Sequence, residues 1–231
     1  MKSPLTTHAQ TPPSYKALGD TKAVEEMPLE LQSWWMRTHF LGFFCGGTTF
    51  ILGTLCYFYP EWEEGGLYAG MLYTLGSCGF LYVDVLEFFT FTDDFLLRCN
   101  ITMSATGSTF YVIGSVGFLP VFFNESATCG ELGFIAGSAF IGVSQSWKVL
   151  RLSRSSLRGG PCASKDTLTA IGVEAGAMIG AFCFLLGTIM FAHGPVEGAF
   201  YQLILTIWVW GSCAFTMGSF FLGYRHFLMG V

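Results

Sequence analysis

The sequence predicts an all-α integral membrane protein with six transmembrane helices, arranged as three tandem helical hairpins around a pseudo-threefold axis. Three observations support this class: an apolar composition, six apolar stretches of membrane-spanning length, and the segregation of positive charge. Of the 231 residues, 52% are apolar and 12% are charged, and the mean hydropathy is +0.53. A soluble domain has about 25% charged residues, and a soluble fold of this size cannot bury so much apolar surface.

Composition and charge also disfavour several functional classes. The net charge is −5, and basic residues cluster in one loop only, unlike the basic stripe of a nucleic-acid-binding protein. The apolar content is equally unlike that of a soluble enzyme or a disordered regulator. We therefore expect the lipid bilayer, and no nucleic acid, among the partners.

A helix that crosses the hydrocarbon needs about 20 mainly apolar residues. Six stretches meet this requirement: 39–59, 67–91, 100–123, 127–149, 168–193 and 198–224. Residues 1–38 are polar and are expected to form a tail on the cytosol-like side. Within this tail, the stretch Met27 to Thr38 is predicted as a short interfacial helix with Trp34 and Trp35 at the headgroup level. An ordinary loop is the alternative for this stretch.

The distribution of charge predicts the orientation. With six spans, all eleven cationic residues fall on one side, in the N-terminal tail, the loops after spans two and four, and the C-terminal end. The three loops on the other side carry only acidic charges, namely Glu61, Glu63, Glu64, Glu125 and Glu197. The positive-inside rule then predicts that both termini lie on the positive, cytosol-like side of the membrane.

An internal repeat organises the six spans. In each copy a glycine of the first helix precedes a glycine of the second helix by 23 or 24 residues, as in Gly53 to Gly76, Gly114 to Gly137 and Gly187 to Gly211. A proline follows each first helix near its outer end. The repeat divides the chain into a tail (1–38), hairpins at 39–91, 100–151 and 168–226, and a basic loop at 152–167.

The central copy carries a resemblance to a known family. It runs from Phe110 to Arg151 and contains Gly114-Ser115, then Gly137-Ser138, and ends in basic residues. This pattern resembles the YrhK-like domain, a small two-helix membrane hairpin. The resemblance implies a membrane protein and supplies no catalytic residues.

Small residues predict where helices approach closely. Gly172, Gly176 and Gly180 recur at a spacing of four and form a flat stripe on one face of the fifth span. Helix association in lipid depends on close contact between small residues, because apolar burial gives no net gain there. We therefore expect this stripe to pack against another helix of the protein.

Ionisable residues within spans are the candidates for chemistry. They are Asp84 and Glu87 in the second span, Glu174 in the fifth, and Glu131 near the outer end of the fourth. Asp84 and Glu174 lie at the same depth, about 10 Å from the basic side. Two carboxylates at one depth can share a proton or bind a cation. The alternative is structural, with each carboxylate satisfied by hydroxyls, backbone or the basic loop.

Catalytic and cofactor motifs are absent from the sequence. The four histidines are scattered, and no HxxxH, GxSxG or phosphate-binding loop occurs. We therefore expect no enzymatic activity, no cofactor and no metal. The basic loop from Lys148 to Lys165 either contacts anionic lipid headgroups or simply determines topology.

These observations predict a non-enzymatic multi-pass membrane protein that acts as a scaffold or accessory subunit. Its expected partners are the bilayer and other membrane subunits or a second copy of the chain. The alternative is a small proton or cation channel or transporter that uses Asp84, Glu87 and Glu174.

Overall fold

The structure is a computed structural model that describes residues 24, 26–59, 61–91, 94–158 and 165–230. Within these residues it contains helices and short connections and no strand. The helices are α1 (Leu29–Cys56), α2 (Gly65–Thr90), α3 (Phe95–Gly117), α4 (Pro120–Phe123), α5 (Thr128–Arg158), α6 (Lys165–His193) and α7 (Gly198–Gly223). A π-helical segment, Tyr224–Met229, continues α7.

Four of the described helices are long and apolar enough to cross a membrane: α1, α2, α6, and α7 with its π-helical continuation. This finding confirms the predicted all-α class with membrane-spanning helices, whereas the count of six spans stays a prediction. The other two long helices, α3 and α5, carry more polar residues. These polar side chains are buried within the bundle, as for Asn100, Ser104, Ser108, Ser138, Ser144 and Gln145.

The six long helices form a closed ring. Each packs against the next in the order α1, α2, α3, α5, α6, α7, and α7 packs back against α1. The hairpin connections 57–64, 118–127 and 194–197 lie together at one end, which we name the turn end. The opposite end, which we name the basic end, is held by ion pairs such as Arg151 to Asp94 at 2.7 Å and Arg225 to Asp166 at 3.0 Å.

An aromatic layer fills the middle of the ring, with one side chain from each long helix. We define this layer as Phe50, Tyr73, Tyr111, Phe134, Phe184 and Trp208, all 2% exposed or less. Phe50 lies near its centre, with ring centroids 5.0 Å from Tyr73 and 5.1 Å from Phe184. Each of the six precedes a repeat glycine by three residues. The layer therefore follows the register of the sequence repeat.

Hydroxyl groups that follow the repeat glycines are also buried. Thr54, Ser77, Ser115, Ser138, Thr188 and Ser212 are fully buried. Several of them join the helices: Thr54 and Tyr73 hydroxyls lie 2.8 Å apart, and so do the Ser77 and Ser115 hydroxyls. The repeated Gly-Ser and Gly-Thr pairs thus face the interior of the ring.

The glycine stripe of α6 lies against α7. A Cβ atom at Gly176 would lie 2.8 Å from the backbone of Gly218, and one at Gly180 would lie 2.7 Å from the Phe215 ring. A Cβ atom at Gly172 would lie 2.8 Å from the Phe221 ring. The two helices therefore approach too closely at this stripe for larger side chains.

Three element boundaries differ from the sequence prediction. The predicted interfacial helix is the start of α1, which runs unbroken from Leu29. Trp34 is 52% exposed, but Trp35 is 4% exposed and donates from Nε1 to the Thr90 hydroxyl at 2.9 Å. Consecutive residues point to different sides of a helix, so only one tryptophan can face outward.

The predicted basic loop at 152–167 is shorter than expected. Helix α5 continues to Arg158, and Leu152, at the predicted start of the loop, is a buried helical residue at 8% exposure. Residues 159–164 and the N-terminal residues 1–23 lie outside the described part of the chain. The third span is also shorter than predicted, since α3 ends at Gly117 and the short helix α4 follows.

Candidate functional site

A cavity of about 100 Å³ lies inside the ring between the aromatic layer and the basic end. This volume is enough for several water molecules. All six long helices and the π-helical segment contribute to its lining. We name it the basic-end cavity. Its polar lining residues are Trp35, His39, Asp84, Glu87, Ser104, Ser108, Gln145, Lys148, Glu174, Arg225 and His226.

A buried lysine joins two of the predicted carboxylates. Lys148 Nζ donates to Glu87 Oε2 at 3.1 Å and lies 3.6 Å from Glu174 Oε1. The three side chains come from α5, α2 and α6, and that of Lys148 is 9% exposed. Charges buried in this way are tolerated only when they are paired and hydrogen-bonded. Lys148 therefore contacts both glutamates and links three helices.

Two histidines connect Glu87 to the π-helical segment. His39 Nε2 lies 3.2 Å from Glu87 Oε1, and His39 Nδ1 lies 3.0 Å from His226 Nε2. If Glu87 is ionised and both rings are neutral, His39 donates to the carboxylate and accepts from His226. The His39 ring also stacks on Trp35 with a centroid distance of 4.5 Å.

Asp84 has a different environment from that of the two glutamates. It is 6% exposed, and the Ser108 hydroxyl donates to its Oδ2 at 2.5 Å. Within the described residues it forms no ion pair, in contrast to Glu87 and Glu174. Asp84 is therefore the carboxylate of this cavity that bonds to a hydroxyl group instead of an ion-pair partner.

Gln145 occupies the position in the second hairpin that Asp84 occupies in the first. Its Nε2 lies 3.5 Å from the Ser104 hydroxyl, and its Oε1 is buried without a hydrogen-bond partner among the described residues. A buried acceptor without a donor costs about 1–3 kcal/mol. We name Asp84, Ser104, Ser108 and Gln145 the Asp84 cluster, a group of oxygen-bearing side chains that line the same cavity.

The structure brings Asp84, Glu87 and Glu174 to one cavity in different partnerships, whereas the fourth candidate, Glu131, lies at the turn end. The sequence suggested that Asp84 and Glu174 meet each other. In the structure Glu174 pairs with Lys148, and Asp84 bonds to Ser108.

Sequence reasoning missed the basic members of the site. It assigned Lys148 to the basic loop and gave His39 no part in the site. One pattern in the sequence indicates the lysine: Glu87 and Lys148 both follow a repeat glycine by eleven residues, so opposite charges occupy equivalent positions.

The described residues contain no group of three or more histidine, cysteine or acidic side chains arranged to hold a metal ion. Lys148 lies between the two glutamates and places a positive charge where a divalent ion would bind. The cavity therefore combines three carboxylates, a buried lysine and neutral oxygen-bearing side chains.

Comparisons of the chain with protein-family models, with curated proteins and with solved structures find no match. The class of protein is therefore defined by its architecture: in its described residues, it is a helical protein with four helices long and apolar enough to cross a membrane and a buried charged cavity at one end.

Proposed function

We propose that this chain is a six-span membrane protein that takes up a proton or a small monovalent cation from its basic side at the Asp84 cluster. In this proposal both termini lie on the cytosol-like side. One observation carries this proposal. Asp84 is a buried carboxylate without an ion-pair partner among the described residues, and the buried amide oxygen of Gln145 has no hydrogen-bond donor there.

Helix length and packing support the count of six spans. The two more polar helices, α3 and α5, have 23 and 31 residues. At about 1.5 Å per residue, even α3 reaches about 34 Å, which exceeds the ~30 Å hydrocarbon thickness. Both helices also belong to the same closed ring as the four apolar ones.

The repeat register supports the proposed pseudo-threefold arrangement of YrhK-like hairpins. Equivalent positions supply the aromatic layer, the buried hydroxyls after the glycines, and a buried polar residue at Asp84, Gln145 and Ser219. Three sequence copies with the same pattern of burial are expected when three similar hairpins surround one axis.

The balance of charge supports a cationic ligand at the Asp84 cluster. Lys148 forms ion pairs with Glu87 and Glu174 but not with Asp84, so Asp84 is the carboxylate of the described cavity without an ion-pair partner. Holding an unpaired charge away from water costs several kcal/mol. A proton or a monovalent cation at Asp84 would remove this penalty, and the nearby hydroxyl and amide oxygens match the preference of hard cations for oxygen.

A second function, scaffold or accessory subunit of a membrane complex, is favoured by the aromatic layer. Its six side chains are 2% exposed or less and fill the ring between the two ends. A closed layer of this kind favours a non-conducting protein whose charged cluster fixes helix positions. The partners would be other membrane subunits or a second copy of the chain.

Flux through reconstituted vesicles tests the first function against the second. The purified chain is placed in vesicles that contain a pH-sensitive dye, and a proton, Na⁺ or K⁺ gradient is imposed. We expect flux with the unmodified chain, its loss in Asp84→Asn, its reduction in Glu174→Gln, and no change in the exposed control Glu125→Gln. Absence of any flux, together with membrane subunits that copurify, would support the scaffold instead.

A further inference from the structure

A second and larger cavity opens at the turn end. Its volume is about 680 Å³, within the range of about 300–1,000 Å³ that is typical of small-molecule sites. Residues from all three hairpin connections line it. We name it the turn-end vestibule. It lies on the other side of the aromatic layer from the Asp84 cluster, and only Trp208 belongs to both the layer and the vestibule lining.

Six aromatic side chains line this vestibule: Tyr57, Phe118, Phe123, Phe191, Tyr201 and Trp208. They are held in place by one another. The Phe191 ring lies 5.6 Å from Trp208, and Phe118 lies 5.7 Å from Phe123. Trp208 is 2% exposed, and Phe118 is 5% exposed. The vestibule therefore has a rigid aromatic wall rather than a set of mobile surface rings.

The charged groups of the vestibule are acidic. Glu63 and Glu131 line it, and neither forms an ion pair within the described part of the chain. No lysine, arginine or histidine is among its described lining residues. Aromatic faces carry partial negative charge, which attracts cations, and ionised carboxylates add to this attraction.

We propose that the turn-end vestibule binds an organic cation, an alkylammonium group of about the size of choline. Aromatic walls suit such a cation because its methyl groups pack against the rings while its charge is attracted to their faces. An inorganic ion would have to exchange strongly bound water for ring carbons, and the cavity is several times larger than one ion. The proposal does not depend on proton or cation uptake at Asp84, because it rests on different residues.

Choline binding to the purified full-length chain in lipid nanodiscs tests the proposal. Calorimetry compares choline with 3,3-dimethylbutan-1-ol, a neutral molecule of the same shape in which carbon replaces the charged nitrogen. We expect saturable binding of choline, with one molecule per chain, and binding of the neutral molecule that is at least tenfold weaker. Equal binding of the two molecules, or no saturable binding of choline, would overturn the proposal.

Variants with matched controls locate the site. Tyr201→Leu removes one half-buried ring and should weaken choline binding about fivefold, the change that ~1 kcal/mol of cation–π attraction produces. Glu131→Gln should weaken it similarly. The controls are Trp210→Leu, whose ring is 68% exposed outside the ring of helices, and Glu64→Gln, which does not line the vestibule. Should Tyr201→Leu fail to fold, Glu131→Gln decides alone, and unchanged affinity in it would contradict the site.

Discussion

Lys148 is the residue on which the charged cluster at the basic end depends. Its ammonium group faces Glu87 and Glu174, and its side chain is 9% exposed. Each glutamate is held by a partner on a different helix. The removal of this one cation therefore has consequences on three helices.

Replacement of Lys148 by methionine should destabilise the protein by about 3–5 kcal/mol, because two buried carboxylates lose their shared cation. The measurement is the free energy of unfolding in mixed micelles. Lys165→Met, at an exposed position, serves as the control and should change stability by less than about 0.5 kcal/mol. Equal stability of the two variants would show that the buried glutamates do not depend on Lys148.

Substitutions at Thr54 and Thr188 test how much the buried hydroxyl groups of the repeat contribute to stability. Thr54 bonds to the Tyr73 hydroxyl, whereas at the equivalent positions Thr188 Oγ1 and Trp208 Nε1 have no partner among the described residues. Thr54→Val should therefore destabilise by about 1–3 kcal/mol, and Thr188→Val should be neutral or stabilising. Unfolding free energies measured side by side check this difference, and equal losses in both variants would contradict it.

Residue identity predicted part of the candidate site. Asp84, Glu87 and Glu174 stand out because carboxylates are rare within apolar spans. His39 and Lys148 do not, because an ionisable side chain near the end of a span can reach water as easily as a buried partner. Only the arrangement of α1, α2 and α5 around the basic-end cavity distinguishes these two outcomes.

At the scale of elements, contacts between small residues determine how α6 and α7 meet. A Cβ atom at Gly176 would lie 2.7 Å from the Ala214 carbonyl oxygen and 2.8 Å from the Gly218 backbone. Backbone atoms cannot move aside as a side chain can. The two helices would have to separate to admit even one methyl group.

Gly176→Ala should lower stability by about 1–3 kcal/mol through this overpacking. Gly66→Ala is the matched control, because the nearest atom to its new Cβ would be a Pro120 side-chain carbon at 3.7 Å. The control should be neutral or slightly stabilising, since alanine favours a helix over glycine. Thermal unfolding in detergent measures both, and an undisturbed Gly176→Ala protein would argue against close α6–α7 contact.

The sequence predicts which helices pair as hairpins better than it predicts where each helix begins and ends. The glycine spacing within each copy identifies the hairpins, and the described connections contain few residues. The burial of Trp35 near the start of α1 could not be predicted from the sequence, because its hydrogen-bond partner, Thr90, lies in another helix. Local pattern carries no information about such a distant partner.

For the whole molecule, the distribution of polarity is inverted relative to a soluble protein. Large apolar side chains cover the outside, including Trp210 at 68% exposure and Phe89 at 75%. Polar and charged groups line the inside at the basic end, and aromatic rings close the middle. This arrangement suits a protein in lipid, because lipid solvates the apolar outer surface while the buried polar groups pair with one another.

The proposed topology places the two cavities on opposite sides of the membrane. The proposed six spans put the basic-end cavity on the cytosol-like side and the turn-end vestibule on the other. An odd number of spans, or the loss of one hairpin, would bring acidic turns and basic loops to the same face. The topology is therefore the claim on which both proposed sites depend.

Single-cysteine labelling tests this topology most directly. Lys165→Cys and Glu63→Cys are each introduced into a chain whose eight native cysteines are replaced, and sealed vesicles of known orientation are treated with a membrane-impermeant maleimide. The account predicts that in any one orientation only one of the two positions is modified, and that inverting the vesicles exchanges them. Modification of both positions from the same side would contradict it.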